Sequence, residues 1–328
     1  MNVNFLHNNE IREKYLKNFV VKETSFGKVF GSPYTFLYLI DGVLFDTSVS
    51  AWAYLFCQKL KNVEWKKKIF LTHSHYDHLG GVSVIESLLG KIEVYANSYV
   101  AKVLNSKTAL EIIKKFDDYD SEEIKKFHEI DNVGFDSFSI DFLFDFGNND
   151  YFFIEGINVI YTPGHTKDTV SYHIPQYNSL VMSESMGVPN YRFTFVLPEF
   201  LTSYGLYVKS FERLKNLVLD NKISNFLLPH IMYFEYFSDV KDFIKLSEIS
   251  LSMYVKQILG FLEKVGVNKD MVVEKADLKT GDLMDLKIRD VFNMVLDGFY
   301  VKYELSQPLY GFEANVKAQI RTIIKELL

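Results

Sequence analysis

The stretch "THSHYDHLGG", residues 72–81, decides how the rest of the chain is read. The 328 residues contain only 8 histidines, and three of them fall here with an aspartate, as His73, His75, Asp77 and His78. The stretch follows the apolar "KKIFL" (67–71), which reads as a short buried strand. It precedes Gly80-Gly81, which open the helical pattern "GVSVIESLLG". The donors therefore sit at a strand exit, a recurrent location for ligands on sheets of this kind. Alternate residues of an extended segment project to one side, so His73 and His75 can share one metal ion. Asp77 and His78, a step further on, can face a second position close by. Imidazole nitrogen and carboxylate oxygen suit zinc and iron, and two-metal hydrolytic sites hold their ions ~3.5–4 Å apart. One loop histidine would be read as a hydrogen-bonding residue; H-x-H-x-D-H between a strand and a Gly-Gly helix start reads as a ligand set.

Working outward, further donors recur in the same context. His165 lies in "TPGHT", where Pro163 and Gly164 bend the chain after "INVIY"; Glu184 follows "LVMS"; His230 follows "NFLLP". Around them, β-type runs alternate with helical patterns. "YTFLYLI" (34–40) and "GVLFDT" (42–47) flank the hairpin signal Asp41-Gly42. "SVSAWAYLFCQKLKN" and most of 98–130 read as helical, and "FSIDFLF", "YFFIEG", "INVIYT", "TVSYHIP" and "NSLVMSE" as strands. A helix over 203–220 and a strand in "NFLLPH" (225–230) follow. Two β-rich halves, each ending in helices, predict a mixed α/β (α+β) sandwich of two sheets with helices outside. Beyond residue 240 the pattern turns helical. Phe243, Leu246, Ile249, Tyr254, Ile258 and Leu262 are expected along one apolar packing face, and Val316, Ile320, Ile323, Ile324 and Leu327 along another. The expected organisation is a domain over 1–240 and a helical extension over 241–328.

Composition narrows the function classes. Hydrophobic content of 48% with 24% charged residues is that of an ordinary globular protein. A net charge of -6 gives no electrostatic reason to expect a nucleic-acid or anionic-membrane partner. "KNVEWKKK" (61–68) reads as a solvated helix end. The single Cys57 excludes an internal disulfide framework. The N-terminal stretch lacks the apolar core of a signal peptide, and no apolar run approaches the ~20 residues needed to span a bilayer. A cytoplasmic location is expected. His173 reads as structural within its strand, and His128 and His7 carry no functional expectation.

Taken in order, "LFDTS", "THSHYDHLGG", "TPGHT", "SES" and "LLPH" resemble the motifs of the metallo-β-lactamase fold superfamily over about residues 26–232. The resemblance implies an αββα sandwich with a dinuclear site at one edge. It implies that His73, His75 and His165 bind one metal ion, that Asp77, His78 and His230 bind the other, and that Asp46 in "LFDTS" supports the ligands. Asp77 and Asp46 are the residues it places nearest the chemistry. The chain departs from the family at Ser183-Glu184, where an aspartate after a glycine usually bridges the ions. Glu184 keeps the carboxylate with one more methylene, so it can bridge both ions, bind one, or miss them.

The implied cofactors are two divalent ions, zinc first, with iron or manganese as alternatives, and the implied reaction is hydrolysis by a metal-bound hydroxide. His75 favours hydrolysis, because related flavodiiron oxidoreductases carry glutamate there and add a flavin module. Only 18 positions separate His165 from Ser183, which leaves no room for the inserted domain of the superfamily's nucleic-acid-processing branches. Residues 183–217 with "FLLPHIMYF" are similar to the subgroup of the quinolone signal response protein, a thioesterase whose C-terminal helices cover the active-site mouth. That implies a thioester or related ester or lactone, a small-molecule substrate of acyl-coenzyme A type, and 241–328 as the cover. Arg192 in "NYRFTF" is a candidate anchor for a substrate carboxylate or phosphate. No nucleic-acid or membrane partner is expected, and a homodimer through exposed helices is compatible with the sequence. The alternatives are a phosphodiesterase on the same metals, a metal-stapled regulatory protein without turnover, and, as an outlier, a mononuclear iron dioxygenase.

Overall fold

The computed structural model describes residues 16–17, 20–32, 34–130, 133–147, 149–267, 281–303, 305 and 309–328; His7 lies outside them. The chain divides into two units, one of residues 1–162, 167–183 and 218–240, the other of residues 163–166, 184–217 and 241–328.

The first unit carries two sheets. In the larger, β1 (Val20–Glu23), β2 (Lys28–Gly31), β3 (Leu37–Ile40) and β4 (Val43–Phe45) form an antiparallel meander. Asp41 and Gly42 turn β3 into β4 with φ of 49° and 75°, the pair of positive φ values that a two-residue type I′ hairpin turn requires. β5 (Lys68–Phe70), β6 (Glu93–Asn97) and β7 (Phe142–Phe144) then add in parallel. Parallel neighbours need crossovers. These are supplied by α1 (Ser50–Leu60), then α2 (Tyr76–Leu79) with α3 (Val82–Leu89), then α4 (Ser98–Leu104) with α5 (Lys107–Lys125). The second sheet runs β15-β14-β11-β10-β9-β8. β8 (Tyr151–Ile154), β9 (Ile157–Tyr161), β10 (Val170–Ile174) and β11 (Ser179–Val181) are antiparallel, β14 (Asn225–Leu227) is parallel to β11, and β15 (Tyr233–Phe234) closes the edge.

Both faces of the central strands of the larger sheet are buried, which is why β3, β4 and β5 read as continuous apolar runs rather than alternating ones. One face packs Phe30, Leu44, Ile69 and Val94 against Phe56 of α1 and Ile85 of α3. The other meets the second sheet through Tyr172 of β10, whose ring lies 5.2 Å from Phe45 and 5.6 Å from Phe70. The Tyr172 hydroxyl donates to the Leu71 carbonyl, and the Tyr38 hydroxyl to that of Leu228, so the only polar atoms on these large buried rings are satisfied. This is the two-sheet sandwich expected from the sequence. Because β4 and β5 are parallel, their carboxyl ends lie at one edge, with Asp46 following β4 and His73 following β5.

The second unit holds β12 (Val188–Pro189) and β13 (Val196–Leu197), most of α6 (Tyr204–Asn221) and α7 (Phe237–Lys264), then α8 (Gly281–Val295), a π-helical turn (Leu296–Val301) and α9 (Leu309–Leu327). Its core packs Tyr254, Ile258 and Leu262 of α7 against Val291, Phe299, Phe312, Val316, Ile320 and Ile323. One expected face position is corrected: Ile249 is 54% exposed. The buried stripe of α7 passes instead through Ser247 and Ser250, and the Ser250 hydroxyl accepts from the Val196 amide at 3.1 Å. A small polar residue fills the inward position because it satisfies a strand end, a role that hydrophobic periodicity does not register. Leu246, Ile324 and Leu327 are half-buried.

Candidate metal centre

In the first unit the site begins at Asp46, which leaves β4 with φ 58°, a left-handed conformation that aspartate tolerates better than most residues. This turn brings its carboxylate beneath the next strand exit. Oδ1 accepts from the Thr72 amide at 2.8 Å; Oδ2 accepts from the Thr72 hydroxyl at 2.9 Å and lies 2.8 Å from His78 Nδ1. Asp46 is 2% exposed and His78 fully buried. A carboxylate acceptor at Nδ1 keeps the proton there and leaves Nε2 as the ligand atom.

His78 rides on α2, a single helical turn whose start is His75. The amide and hydroxyl of Thr47 both donate to the His78 carbonyl at 2.8 Å. Gly80 and Gly81 are required by space. A Cβ on Gly81 would stand 2.6 Å from the Thr47 carbonyl oxygen and 2.3 Å from Ala53 Cβ, and one on Gly80 would stand 2.4 Å from Asp117 Oδ1. Asp117 holds the start of α1, accepting from the Ser50 amide at 2.8 Å and from its hydroxyl at 2.5 Å, and burial pushes its carboxyl up to about 7. Tyr76 of α2 donates to Asp120 of the same helix α5 at 2.7 Å.

The imidazoles converge. The His73 ring centroid lies 4.5 Å from that of His75 and 4.1 Å from that of His78, and the His230 ring stands perpendicular to His78 at 5.4 Å. His230 follows β14 and donates from Nδ1 to the Tyr34 carbonyl at 2.7 Å, which again presents Nε2. Asp77 Oδ2 lies 3.8 Å from His78 Nε2 and 3.9 Å from His230 Nε2. Those separations exceed a direct hydrogen bond. They approach the ~3.4 Å between two ligands that each stand ~2.1 Å from one tetrahedral ion. One ligand atom from each of Asp77, His78 and His230 lies within 4.8 Å of the others. Two imidazoles that each present Nε2 and one carboxylate form a donor set that fits a divalent cation.

In the second unit, His165 occupies the turn of residues 163–166. Gly164 has φ 132°, and a Cβ there would lie 2.4 Å from the backbone N and Cα of Tyr207. Its carbonyl accepts from the amides of Leu201, Thr202 and Ser203 at 3.1, 3.1 and 3.4 Å, which fastens the turn just ahead of α6. His165 Nδ1 donates to the Glu199 carbonyl at 2.6 Å. Its Nε2 lies 3.5 Å from Glu184 Oε2, again longer than a hydrogen bond and close to the ligand–ligand separation. Glu184, in a 3-10 turn (Glu184–Met186) and 3% exposed, is thus brought to His165.

Arg192 is exposed on a short loop folded by Asn190, whose side-chain oxygen accepts from the amides of Thr194 and Phe195 at 2.8 and 3.1 Å. His173 is buried beside Asn158, and burial lowers its pKa. His128 donates to the Leu16 carbonyl at 2.5 Å. Sequence reasoning missed the supporting residues Tyr34, Tyr207 and Glu199. Two of them act through backbone carbonyls, for which side-chain identity is no signal.

A family model described as the metallo-beta-lactamase superfamily matches residues 36–219. No curated protein matches the sequence. Among solved structures, the chain is similar to a metallo-beta-lactamase family protein of Thermus thermophilus, at 15% identity and a TM-score of 0.53, over 94% of this chain and 92% of that one. It is similar to the stereoselective inverting sec-alkylsulfatase of a Pseudomonas species at 12% identity and a TM-score of 0.54, over 92% of this chain and 49% of that one. An archaeal superfamily protein from Sulfolobus tokodaii aligns at 19% identity and a TM-score of 0.47, over 88% and 93% of the two chains.

Proposed function

The chain belongs to the metallo-beta-lactamase superfamily, and from that premise we propose that it is a dinuclear metal-dependent hydrolase of an acyl thioester or a related ester or lactone. The observation that carries the reading is the convergence of Asp77, His78 and His230, with both histidines held at Nδ1 so that Nε2 is the available donor. In the proposed ligand set, His73, His75 and His165 hold one ion, Asp77, His78 and His230 hold the other, and Glu184 completes the site beside His165. The 3.5 Å between His165 Nε2 and Glu184 Oε2 supports counting the glutamate as a ligand, since an ion pair without metal would close to hydrogen-bond distance.

Bound divalent ions, zinc first with iron or manganese as alternatives, would polarise the scissile carbonyl and make water a nucleophile at neutral pH. The chain's own contribution is orientation. Asp46 keeps the His78 proton on Nδ1, the Tyr34 carbonyl does the same for His230, and Asp77 supplies negative charge opposite both rings. A thioester is the favoured substrate class because a thiolate leaves with a pKa of about 8.5 and needs little protonation on departure. The likeness of residues 183–217 to the quinolone signal response subgroup supports the same class, with Arg192 as the proposed anchor for a carboxylate or phosphate on the substrate.

The test is elemental analysis of protein purified without added metal or chelator, beside a Glu184→Ala sample. About two equivalents in the parent, reduced in the variant, is the expected result. One equivalent or fewer, unchanged by the substitution, removes Glu184 from the ligand set and the dinuclear reading with it. A hydrolysis screen follows: turnover of acyl thioesters over bis(p-nitrophenyl) phosphate is expected, the reverse preference assigns a phosphodiesterase, and metal-dependent folding without turnover assigns a regulatory protein.

A further inference from the structure

His165 is held from outside the metal centre, and the hydrogen bonds that hold it lead into the C-terminal helices. Its Nδ1 donates to the carbonyl of Glu199. The peptide unit just before that carbonyl, between Pro198 and Glu199, is gripped at both polar ends. Its carbonyl accepts from Gln319 Nε2 of α9 at 2.5 Å, and its N–H donates to the Tyr207 hydroxyl at 3.4 Å. The Glu199 carboxylate accepts from Asn315 Nδ2 at 3.1 Å. Asn315 and Gln319 are four residues apart and so share one face of α9. Gln319 is itself fixed from α7, where the Tyr254 hydroxyl donates to its Oε1 at 2.6 Å. The Tyr207 hydroxyl reaches the Glu184 carbonyl at 3.3 Å, so the same network touches the backbone of the second donor.

A fully buried glutamine among Val316, Ile320 and Ile323 is costly unless both ends of its amide are paired, and an apolar residue would fill that space without the requirement. Here both ends are paired, and what the pairing secures is the segment on which the His165 proton rests. We propose that Gln319, anchored by Tyr254, is a positioning residue for His165: the C-terminal helix α9 sets the orientation and tautomer of a metal ligand through residues 198 and 199. The inference rests on the reading of His165 as a ligand, and it makes the helical extension part of the metal centre's support. A group hydrogen-bonded directly to a ligand, as the Glu199 carbonyl is to His165, typically changes metal affinity about 10–100-fold when lost. Gln319 acts on that carbonyl through the preceding peptide, so its loss is expected at or below the lower end of that range.

The experiment uses the full chain with 15N-labelled histidine. Gln319→Met keeps the volume and deletes both hydrogen bonds, while Tyr254→Phe removes one hydroxyl and serves if the methionine variant does not fold. Nitrogen shifts of His165 in metal-free protein report the tautomer, and competition with a chelator reports the affinity for zinc. The expected result is a rise in the Nε2–H tautomer in the folded variants and zinc binding weakened by a few-fold to about 10-fold, the lower end of the range for direct partners. Arg321→Ala, on the same helix as Gln319, is the control, since it breaks only an exposed ion pair with Asp285 of α8 and should move neither readout. Parental tautomer and affinity in a folded variant overturn the proposal. Because the tautomer is read without metal, a parent that takes up no zinc would defeat the hydrolase reading while this arm still decides the positioning role.

Discussion

Replacing Asp46 with asparagine tests whether the centre depends on one carboxylate that touches no substrate. The carboxylate accepts from three donors, the Thr72 amide and hydroxyl and His78 Nδ1, all at 2.8–2.9 Å and all out of contact with solvent. Asparagine preserves the shape and tolerates φ 58° at least as well, so the backbone has no reason to move. Its amide, however, has one acceptor oxygen and one donor nitrogen. Whichever way it is flipped, the NH2 faces a donor, either the Thr72 amide or the pair formed by the Thr72 hydroxyl and His78. Facing Thr72, it forfeits a charge-assisted bond, about 1.5–3 kcal/mol of stability. Facing His78, the conflict is relieved if the ring proton moves to Nε2, which then ceases to be a ligand atom. The metal position of Asp77, His78 and His230 is expected to weaken 10–100-fold, about 1.4–2.7 kcal/mol. Urea unfolding with chelator present measures the first cost, and competitive zinc titration measures the second. An Asp46→Asn protein with parental unfolding and parental zinc affinity would refute the argument that this carboxylate sets the His78 tautomer.

Gly164→Ala is expected to prevent stable folding or to cost upward of about 4 kcal/mol, because the new Cβ meets the Tyr207 backbone at 2.4 Å and no flexible side chain can yield. Gly156→Ala, also at positive φ but in open space, should cost only about 1 kcal/mol, and equal losses in denaturant titrations would sink the steric account. Asp117→Asn tests the buried carboxyl of α5, whose pKa burial raises to about 7. The folded state then keeps a proton that the unfolded chain releases near pH 4. The resulting stability is complete below that value and lost as pH rises through about 7, with a slope of up to ~1.4 kcal/mol per pH unit. Asparagine carries no such proton, so the variant should gain on the parent between pH 4 and 7. Parallel stability curves over that range would count against a raised pKa.

The sandwich was readable because its strands are short apolar runs separated by strong turn signals, as at Asp41-Gly42, and because its crossovers carry helical periodicity. The four candidate ligands of residues 73–78 were readable because His and Asp at one- and two-residue spacing after a buried strand have few other uses, and His230 by its place at the end of the strand "NFLLP". Glu184 could be found by position but not by geometry, since one extra methylene leaves its reach to the local backbone, and the 3-10 turn that points it at His165 has no distinctive composition. The α7 face was misread at Ile249 for a related reason. Hydrophobic periodicity weighs side chains by polarity, whereas Ser250 is inward because a strand amide needs an acceptor.

What the sequence hides most completely is how the ligands are aimed. The Nδ1 atoms of three candidate ligands are held by the carboxylate of Asp46, the backbone carbonyl of Tyr34 and the backbone carbonyl of Glu199. Only the first is a side chain, and it alone is legible in the sequence. Every residue carries a carbonyl, so a carbonyl becomes a functional group solely through where the fold puts it, and the fold puts these two there by unrelated means. Tyr34 is tied to α5 by its hydroxyl, whose single proton is shared between the Asp120 carbonyl at 3.0 Å and the Glu123 carboxylate at 2.9 Å. Glu199 is tied to α9 by Asn315 and, through Pro198, by Gln319. Helices distant in sequence from every candidate ligand therefore bear on which nitrogen His165 and His230 offer. Substitutions at Glu123 or Gln319, neither of which is a candidate ligand, should register first as changes in metal affinity.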